Sequence, residues 1–207
     1  MESKPKRTVL CADAHEWLPN QRNIYAIITS LPDMEETGHE IHEWQAWIRK
    51  TCKLLASSLS DKGVIIFYQT DRKHQGALID KKSLISAEFH RLGYRTIMNK
   101  VILKQEPETI NLFRPTFSTL FGFSKATNSG KATPDVIYSG DMVYKNAIGL
   151  NACKLSLEFI QKQVGKTLIV DPFCGQGSIL KIANDMGLDA LGVDIMQEQC
   201  DKAINLK

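Results

Sequence analysis

The segment Leu168-Ile-Val-Asp-Pro-Phe-Cys-Gly-Gln-Gly-Ser178 decides the reading of this chain: a short apolar strand runs into a glycine turn and directly into a helix. Gly175 and Gly177 lack a Cβ, so the backbone there can take positive φ and let a ligand approach the helix N-terminus, where free N–H groups point outward. The helix that begins at Ser178 leads to a second strand with an acidic end, Leu191-Gly-Val-Asp194. A carboxylate at that position of a βαβ unit is placed to accept hydrogen bonds from both hydroxyls of a ribose. Asp171, at the end of the first strand, adds a second carboxylate to the same crevice, suited to a ligand ammonium group. A glycine turn alone would describe an ordinary tight βα connection. Joined to two acidic strand ends, it points to a cofactor that contains a nucleoside.

Outward from this unit, short β-branched or apolar runs alternate with longer segments of helical period, the pattern of an α/β sheet. Seven strands are expected, at residues 8–11, 24–29, 63–68, 96–104, 117–123, 167–171 and 190–193, with helices at 41–59, 82–92, 155–164 and 178–186. Residues 96–104 and 117–123 read as an antiparallel pair at one edge of the sheet. Residues 128–141 hold Ser129-Gly130, Pro134 and Gly140 and read as a long loop.

The composition bounds the function without choosing it. With 207 residues, 43% hydrophobic and 24% charged, the chain can bury a substantial core as one domain. The 26 Lys and Arg against 23 Asp and Glu give +3, a balance that permits a nucleic-acid partner without demanding one. Five scattered cysteines with no Cys-x-x-Cys pair argue against a disulfide framework and a cysteine zinc site, and for a reducing compartment. The start, Met1-Glu-Ser-Lys-Pro-Lys-Arg7, lacks the apolar core of a signal peptide, and its basic residues read as a solvated terminus more readily than as a nuclear address. No apolar run reaches the roughly 18 residues of a membrane span, so an intracellular protein, cytoplasmic or nuclear, is expected.

Asp171-Pro-Phe-Cys-Gly-Gln-Gly-Ser178 closely resembles the motif Asp-Pro-Phe-x-Gly-Ser/x-Gly-Thr/Ser of S-adenosylmethionine-dependent methyltransferases, above all the permuted group that includes the amino-group DNA methyltransferases. In that group the catalytic half precedes the cofactor motif, as here, and the resemblance covers nearly the whole chain. It implies a Rossmann-like seven-stranded mixed sheet with helices on both faces, in circularly permuted order. It implies S-adenosyl-L-methionine as cofactor, held by Asp171, Pro172, Phe173, Cys174, Gly175, Gly177 and Asp194. Cys11-Ala-Asp-Ala14 looks like the family segment whose acidic residue contacts the adenine amino group, which makes Asp13 the candidate. Residues 146–158 look like the helix that closes over the methionine part.

The family's catalytic loop, Asp/Asn/Ser-Pro-Pro-aromatic, is matched by Ser30-Leu31-Pro32-Asp33 at two of its four positions. The resemblance implies that Ser30 accepts a hydrogen bond from the target amino group and that Pro32 stiffens the loop. Asp33 stands where an aromatic residue would stack a flipped base. Two readings of Asp33 stay open: a general base at the pocket mouth, or the cap of the following helix. Glu35, Glu36, His39 and His42 lack a third ligand of matching spacing and are read as solvated helix residues, not a metal site. Trp44 and Trp47 are read as packing.

Arg72-Lys-His74, Lys81-Lys82, Arg91, Arg95, Lys100, Lys104, Arg114, Lys125, Lys131 and Lys145 concentrate positive charge in the middle of the chain, a candidate surface for phosphates. Sequence-specific members of the resembled group carry a sizeable recognition region where this chain has only residues 126–145. A nucleic acid is thus the expected partner, structured RNA ahead of DNA, with recognition borrowed from a partner subunit as a further possibility. A non-catalytic subunit of the same fold is the competing reading.

Overall fold

The computed structural model describes residues 4–112, 114–130 and 132–207. The first half contains β1 (Arg7–Cys11), α1 (Ala14–Trp17), β2 (Ile24–Thr29), α2 (Met34–Thr37), α3 (Ile41–Ser58), β3 (Leu59–Gln69) and the short pair β4 (Arg72–His74) and β5 (Ala77–Ile79). There follow α4 (Lys81–Arg91), β6 (Arg95–Leu103), β7 (Phe117–Ser124) and β8 (Val136–Tyr138). The chain ends with α5 (Leu150–Val164), β9 (Ile169–Asp171), α6 (Ser178–Asp185), β10 (Ala190–Asp194) and α7 (Gln197–Asn205). None of the described helices is long and apolar enough to cross a membrane.

Eight strands form one mixed sheet in the order β1-β10-β9-β2-β3-β7-β6-β8. β1, β10, β9, β2 and β3 run parallel, and β7 alone is antiparallel to its neighbours. The central strands have the composition such a sheet requires. Val64 to Gln69 is buried at every position because helices cover both faces. On one face α5, α6 and α7 pack over Ile28, Ile66 and Ile169; on the other α3 and α4 pack over Ile27, Ile65 and Phe67.

Two sequence expectations are corrected, and one element is added to them. The sheet has eight strands instead of seven, because residues 136–138 inside the expected loop pair in parallel with β6, at Val101↔Val136 and Leu103↔Tyr138. This strand is only three residues long and lies at an edge, so it shows no run or alternation from which it can be read; the bonds Val101 N–H to Asp135 O (2.8 Å) and Ser139 N–H to Leu103 O (2.7 Å) define it. For the same reason β6 and β7 do not form the sheet edge. Finally, residues 72–79 form a hairpin, β4–β5, that the sequence pattern does not separate from its surroundings.

β1 and β10 are parallel neighbours in register from Arg7↔Ala190 to Cys11↔Asp194, so the beginning and end of the chain meet side by side. The basic start is part of that seam: Arg7 donates to Asn184 Oδ1 (2.9 Å) and to the carbonyls of Ala203 (3.0 Å) and Leu206 (2.7 Å).

The glycine turn is held down on β10 by close packing. A Cβ added to Gly192 would lie 2.5 Å from Leu180 Cδ1 and 2.7 Å from Cys174 Sγ, both of them buried side chains. Gly192→Ala is therefore expected to cost about 1–3 kcal/mol by overpacking. In a thermal melt that is a lower Tm by about 2–10 °C for a domain of this size, and an unchanged Tm would show that α6 can move away freely.

Candidate functional site

The parallel part of the sheet changes direction between β9 and β2. From β9 the chain passes through α6 to β10, with β1 next in the sheet, whereas from β2 it passes through α3 to β3 on the other side. Ligands bind at such a switch point, outside the carboxyl ends of the strands. Here the ends of β9 and β2 are joined directly: the Thr29 hydroxyl donates to Asp171 Oδ1 at 2.7 Å. The Phe173 N–H donates to the same oxygen at 3.1 Å, and Oδ2 accepts no hydrogen bond from the described residues. Asp171 is only 4% exposed. Burial, with a smaller contribution from the Asp194 charge, pushes its carboxyl up to about 7 against the pull of these two donors.

The turn after Asp171 lies across the end of β10. Cys174 N–H donates to Val193 O (2.9 Å), Gly175 N–H to Asp194 Oδ2 (2.9 Å) and Gly177 N–H to Cys174 O (2.8 Å). Gly177 stands at φ +81° as the N-cap of α6, where a Cβ would meet Ala203 Cβ at 2.9 Å. Gly175 also has positive φ (+51°) but opens on space: the nearest atom to an added Cβ is Tyr144 Oη, 3.9 Å away. The two glycines thus do different work, one allowing close packing and the other leaving the crevice open. Asp194 Oδ1 accepts from Met196 N–H (2.9 Å), so each of its oxygens holds one protein donor and keeps a further lone pair.

Asp13 arrives from the adjacent strand end. Ala12 N–H donates to Asp194 O (2.9 Å), and Asp13 caps α1 by accepting from His15 N–H at 2.7 Å. The structure therefore brings Asp171, Gly175, Asp194 and Asp13 to consecutive strand ends, with Pro172 and Cys174 buried in the turn. Phe173 packs edge-on against Trp47 at 5.7 Å between ring centroids, and Trp47 stacks on His15 at 5.0 Å. Burial pushes the Cys174 thiol well above its usual range, as expected of a packing residue.

Ser30, Pro32 and Asp33 follow β2 directly. Trp44, 1% exposed, fixes this loop by donating its indole N–H to Pro32 O at 3.1 Å. The Ser30 hydroxyl makes no hydrogen bond to the described residues. Asp33 is the N-cap of α2, with Glu36 reaching back to its N–H at 2.6 Å. Its carboxylate is ion-paired to Lys81, whose side chain is 4% exposed, and to Arg72 Nε at 3.3 Å; Arg72 also pairs with Glu35. Both Asp33 oxygens thus face cations, so of the two readings left open the cap is the one seen, strengthened by two ion pairs.

Two residues outside the sequence-based candidates belong to the site. Thr29 reads in the sequence only as strand, although a polar residue closing an apolar strand is itself a signal. Tyr144 is half-buried in the segment before α5, with its hydroxyl over Gly175 and facing the start of α6, and burial raises its pKa. Nothing local in the sequence distinguishes it. Of the basic residues of the middle chain, Lys100 pairs with Asp135 (2.8 Å), Arg91 with Glu88 (2.9 Å) and Lys125 with Asp61 (3.2 Å). Lys131 lies outside the described residues.

An α/β sheet with a glycine turn at its switch point, flanked by two acidic strand ends and a Ser-x-Pro loop, is a fold that this chain shares with solved DNA methyltransferase structures. PvuII DNA methyltransferase, cytosine-N4-specific, aligns with a TM-score of 0.72 at 16% identity over 97% of this chain and 88% of its own. A Thermus thermophilus protein assigned as a DNA modification methylase, in complex with S-adenosyl-L-methionine, aligns with a TM-score of 0.69 at 16% identity over 96% and 91%. The M1.HpyAVI–SAM complex gives 0.66 at 15% identity over 96% and 98%. No protein-family profile and no curated protein sequence matches the chain.

Two outcomes follow from this geometry. Thr29→Val removes a donor from a buried carboxylate and is expected to cost about 1–3 kcal/mol. An Asp whose folded pKa is raised loses stability as pH rises from its unfolded value through the folded one. The variant's deficit in chemical unfolding is therefore expected to be smallest near pH 5 and widest above pH 7. Asp33→Ala strands the Lys81 ammonium and is expected to cost about 2 kcal/mol, less than a fully buried pair because Asp33 is partly exposed. Asp33→Ala combined with Lys81→Met is expected to recover most of that loss, whereas strict additivity would show that the pair holds nothing.

Proposed function

We propose that this protein is an S-adenosyl-L-methionine-dependent methyltransferase acting on an amino group of a nucleic-acid base. The observation that carries the reading is the Thr29–Asp171 hydrogen bond, which places the cofactor-type turn and the Ser30–Asp33 loop on adjoining strand ends. The cofactor fits the residues present. Open space over Gly175 admits a ligand backbone, Asp194 keeps lone pairs for a ribose diol, and Asp171 offers a buried carboxylate oxygen to an ammonium. Asp13 is positioned beside them for the adenine amino group.

When bound, the cofactor supplies an electrophilic methyl group on a sulfonium. Ser30, whose hydroxyl is uncommitted, accepts a hydrogen bond from the target amino group and keeps its lone pair directed. Pro32, held by Trp44, keeps that hydroxyl in place. Acceleration comes chiefly from such positioning. Asp33 anchors the loop to Arg72 and Lys81 and moves no proton.

DNA is favoured over RNA as the substrate, a change from the sequence expectation. That expectation rests on the lack of a long recognition region, yet a cytosine-N4-specific DNA methyltransferase aligns over 88% of its own length with this chain. Compactness is therefore no argument against DNA. The test is transfer of labelled methyl from S-adenosyl-L-methionine to DNA and RNA offered separately, followed by digestion. Label in an N-methylated base of DNA is expected; label in RNA alone would restore the first expectation. Cofactor binding without transfer to either would point to a subunit that needs a partner.

Binding of the cofactor is expected to be pH-linked through Asp171. A neighbouring ammonium favours the ionised carboxylate, so binding displaces the proton that Asp171 carries below about 7. Affinity is thus expected to rise with pH through 7, with about half a proton released per cofactor at pH 7. Calorimetry in buffers of different ionisation enthalpy measures that release. Asp171→Asn is expected to abolish it and weaken binding, whereas an Asn variant that still releases the proton would place the ammonium elsewhere.

A further inference from the structure

The hairpin β4–β5 is not hydrogen-bonded into the main sheet and touches its core only through Ile79 among the described residues. Its turn residues, Gln75 and Gly76, both have positive φ (48° and 79°), the geometry of a tight two-residue hairpin. Two sets of contacts fix it beside the proposed catalytic loop. Arg72 pairs with Asp33 and Glu35, and Lys73 Nζ donates to the carbonyls of Asn111 (3.0 Å) and Leu112 (3.4 Å) in the connection between β6 and β7. Lys104, at the start of that connection, donates to Thr70 Oγ1 at 3.3 Å. Hairpin, connection and Ser30–Asp33 loop are one unit at the same end of the sheet.

The outer surface of this unit combines two features that solvated loops avoid. Leu78, Ile110 and Leu112 are 57%, 88% and 77% exposed. Three exposed cations stand on the same segments: Lys73, which reaches the carbonyls of Asn111 and Leu112, and Lys104 and Arg114 in the connection itself. Desolvation first, with the charges of Arg114 and Lys81, holds the Lys104 ammonium down to about 8. Of the acidic groups nearby, Asp33 and Glu35 are committed to Arg72 and Lys81, Glu106 accepts from the Tyr138 hydroxyl at 2.8 Å, and only Glu108 has no partner among the described residues. A polyanion with flat apolar faces relieves both costs at once. Phosphates meet the cations, and aliphatic side chains wedge against unstacked bases.

We propose that the β4–β5 hairpin and the β6–β7 connection form the surface that grips the nucleic-acid strand flanking the target base, with Lys73, Lys104 and Arg114 on phosphates and Leu78, Ile110 and Leu112 against opened bases. The proposal rests on the nucleic-acid reading of the adjoining site. It puts recognition before α4 and after β6 in the chain, outside the short 126–145 interval.

The test is fluorescence anisotropy of a labelled single-stranded oligonucleotide with the full chain over a salt series, with cofactor affinity measured by calorimetry for every variant. Lys104→Gln and Arg114→Gln are each expected to weaken binding and to lower the slope of log affinity against log salt by about 0.7. Ile110→Ser with Leu112→Ser is expected to weaken binding about fivefold with the slope unchanged, and Lys202→Gln on α7 to leave both as they are. Cofactor affinity is expected to be the same in all of them, which also shows that they fold. Oligonucleotide binding indifferent to these substitutions, or absent from a chain that binds cofactor, overturns the proposal and leaves the cofactor reading standing. A wild-type chain that binds no cofactor refutes that reading instead. A concentration-dependent dimer in sedimentation velocity, abolished by Ile110→Ser with Leu112→Ser, would assign the patch to a second copy and overturn the proposal too.

Discussion

A carboxylate buried to 4% exposure needs a reason to be there, and the reason organises the molecule. Desolvation disfavours the charged form of Asp171, and the described residues supply two donors, both to one oxygen. One comes from β2, 142 residues earlier in the chain, and the other from the turn that Asp171 itself introduces. Leucine at this position would avoid the desolvation cost and would leave nothing to receive a cation. A buried group balanced near neutrality, open on one oxygen and set at the switch point of the sheet, is the physical signature of a ligand site.

The rest of the crevice is arranged around the same strand ends. Asp194 is held by the N–H groups of Gly175 and Met196, so its carboxylate is oriented before any ligand arrives. Gly192 and Gly177 let the turn and α6 settle onto β10 and α7 at distances no side chain would allow. Packing on one side and hydrogen bonding on the other leave the turn little freedom. Precision is placed where a small ligand would need it, while three of the most exposed apolar residues, Leu78, Ile110 and Leu112, lie on the segments beyond β3 and β6.

What is legible in the sequence is whatever is encoded over short range. The strand–turn–helix–strand from Leu168 to Asp194 needs only neighbours within one βαβ unit, and its glycines and acids announce it. The parallel order and the seam between β1 and β10 follow from that unit together with the permuted resemblance. β8 and the β4–β5 hairpin escape because strands of three residues carry no periodicity, and their existence depends on edges supplied by distant segments. Thr29 and Tyr144 escape for a related reason: their roles exist only through contacts with Asp171 and with the start of α6, which no local pattern contains.

Asp33 shows how far such long-range terms reach into the chemistry. On sequence alone it is a departure from the resembled loop, equally a base or a cap. In the structure it is the counter-ion of Lys81, an ammonium that is almost wholly buried at the start of α4 and has no reason to remain there without it. An aromatic residue at position 33 would leave that ammonium unpaired in a low-dielectric setting, so positions 33 and 81 must change together. The carboxylate also ties the loop to Arg72 and, through it, to the hairpin. Where the resembled loop has an aromatic ring this one has an ionic anchor, and through Arg72 it gains a fixed connection to the hairpin, whose surface carries both a cation, Lys73, and an exposed apolar side chain, Leu78.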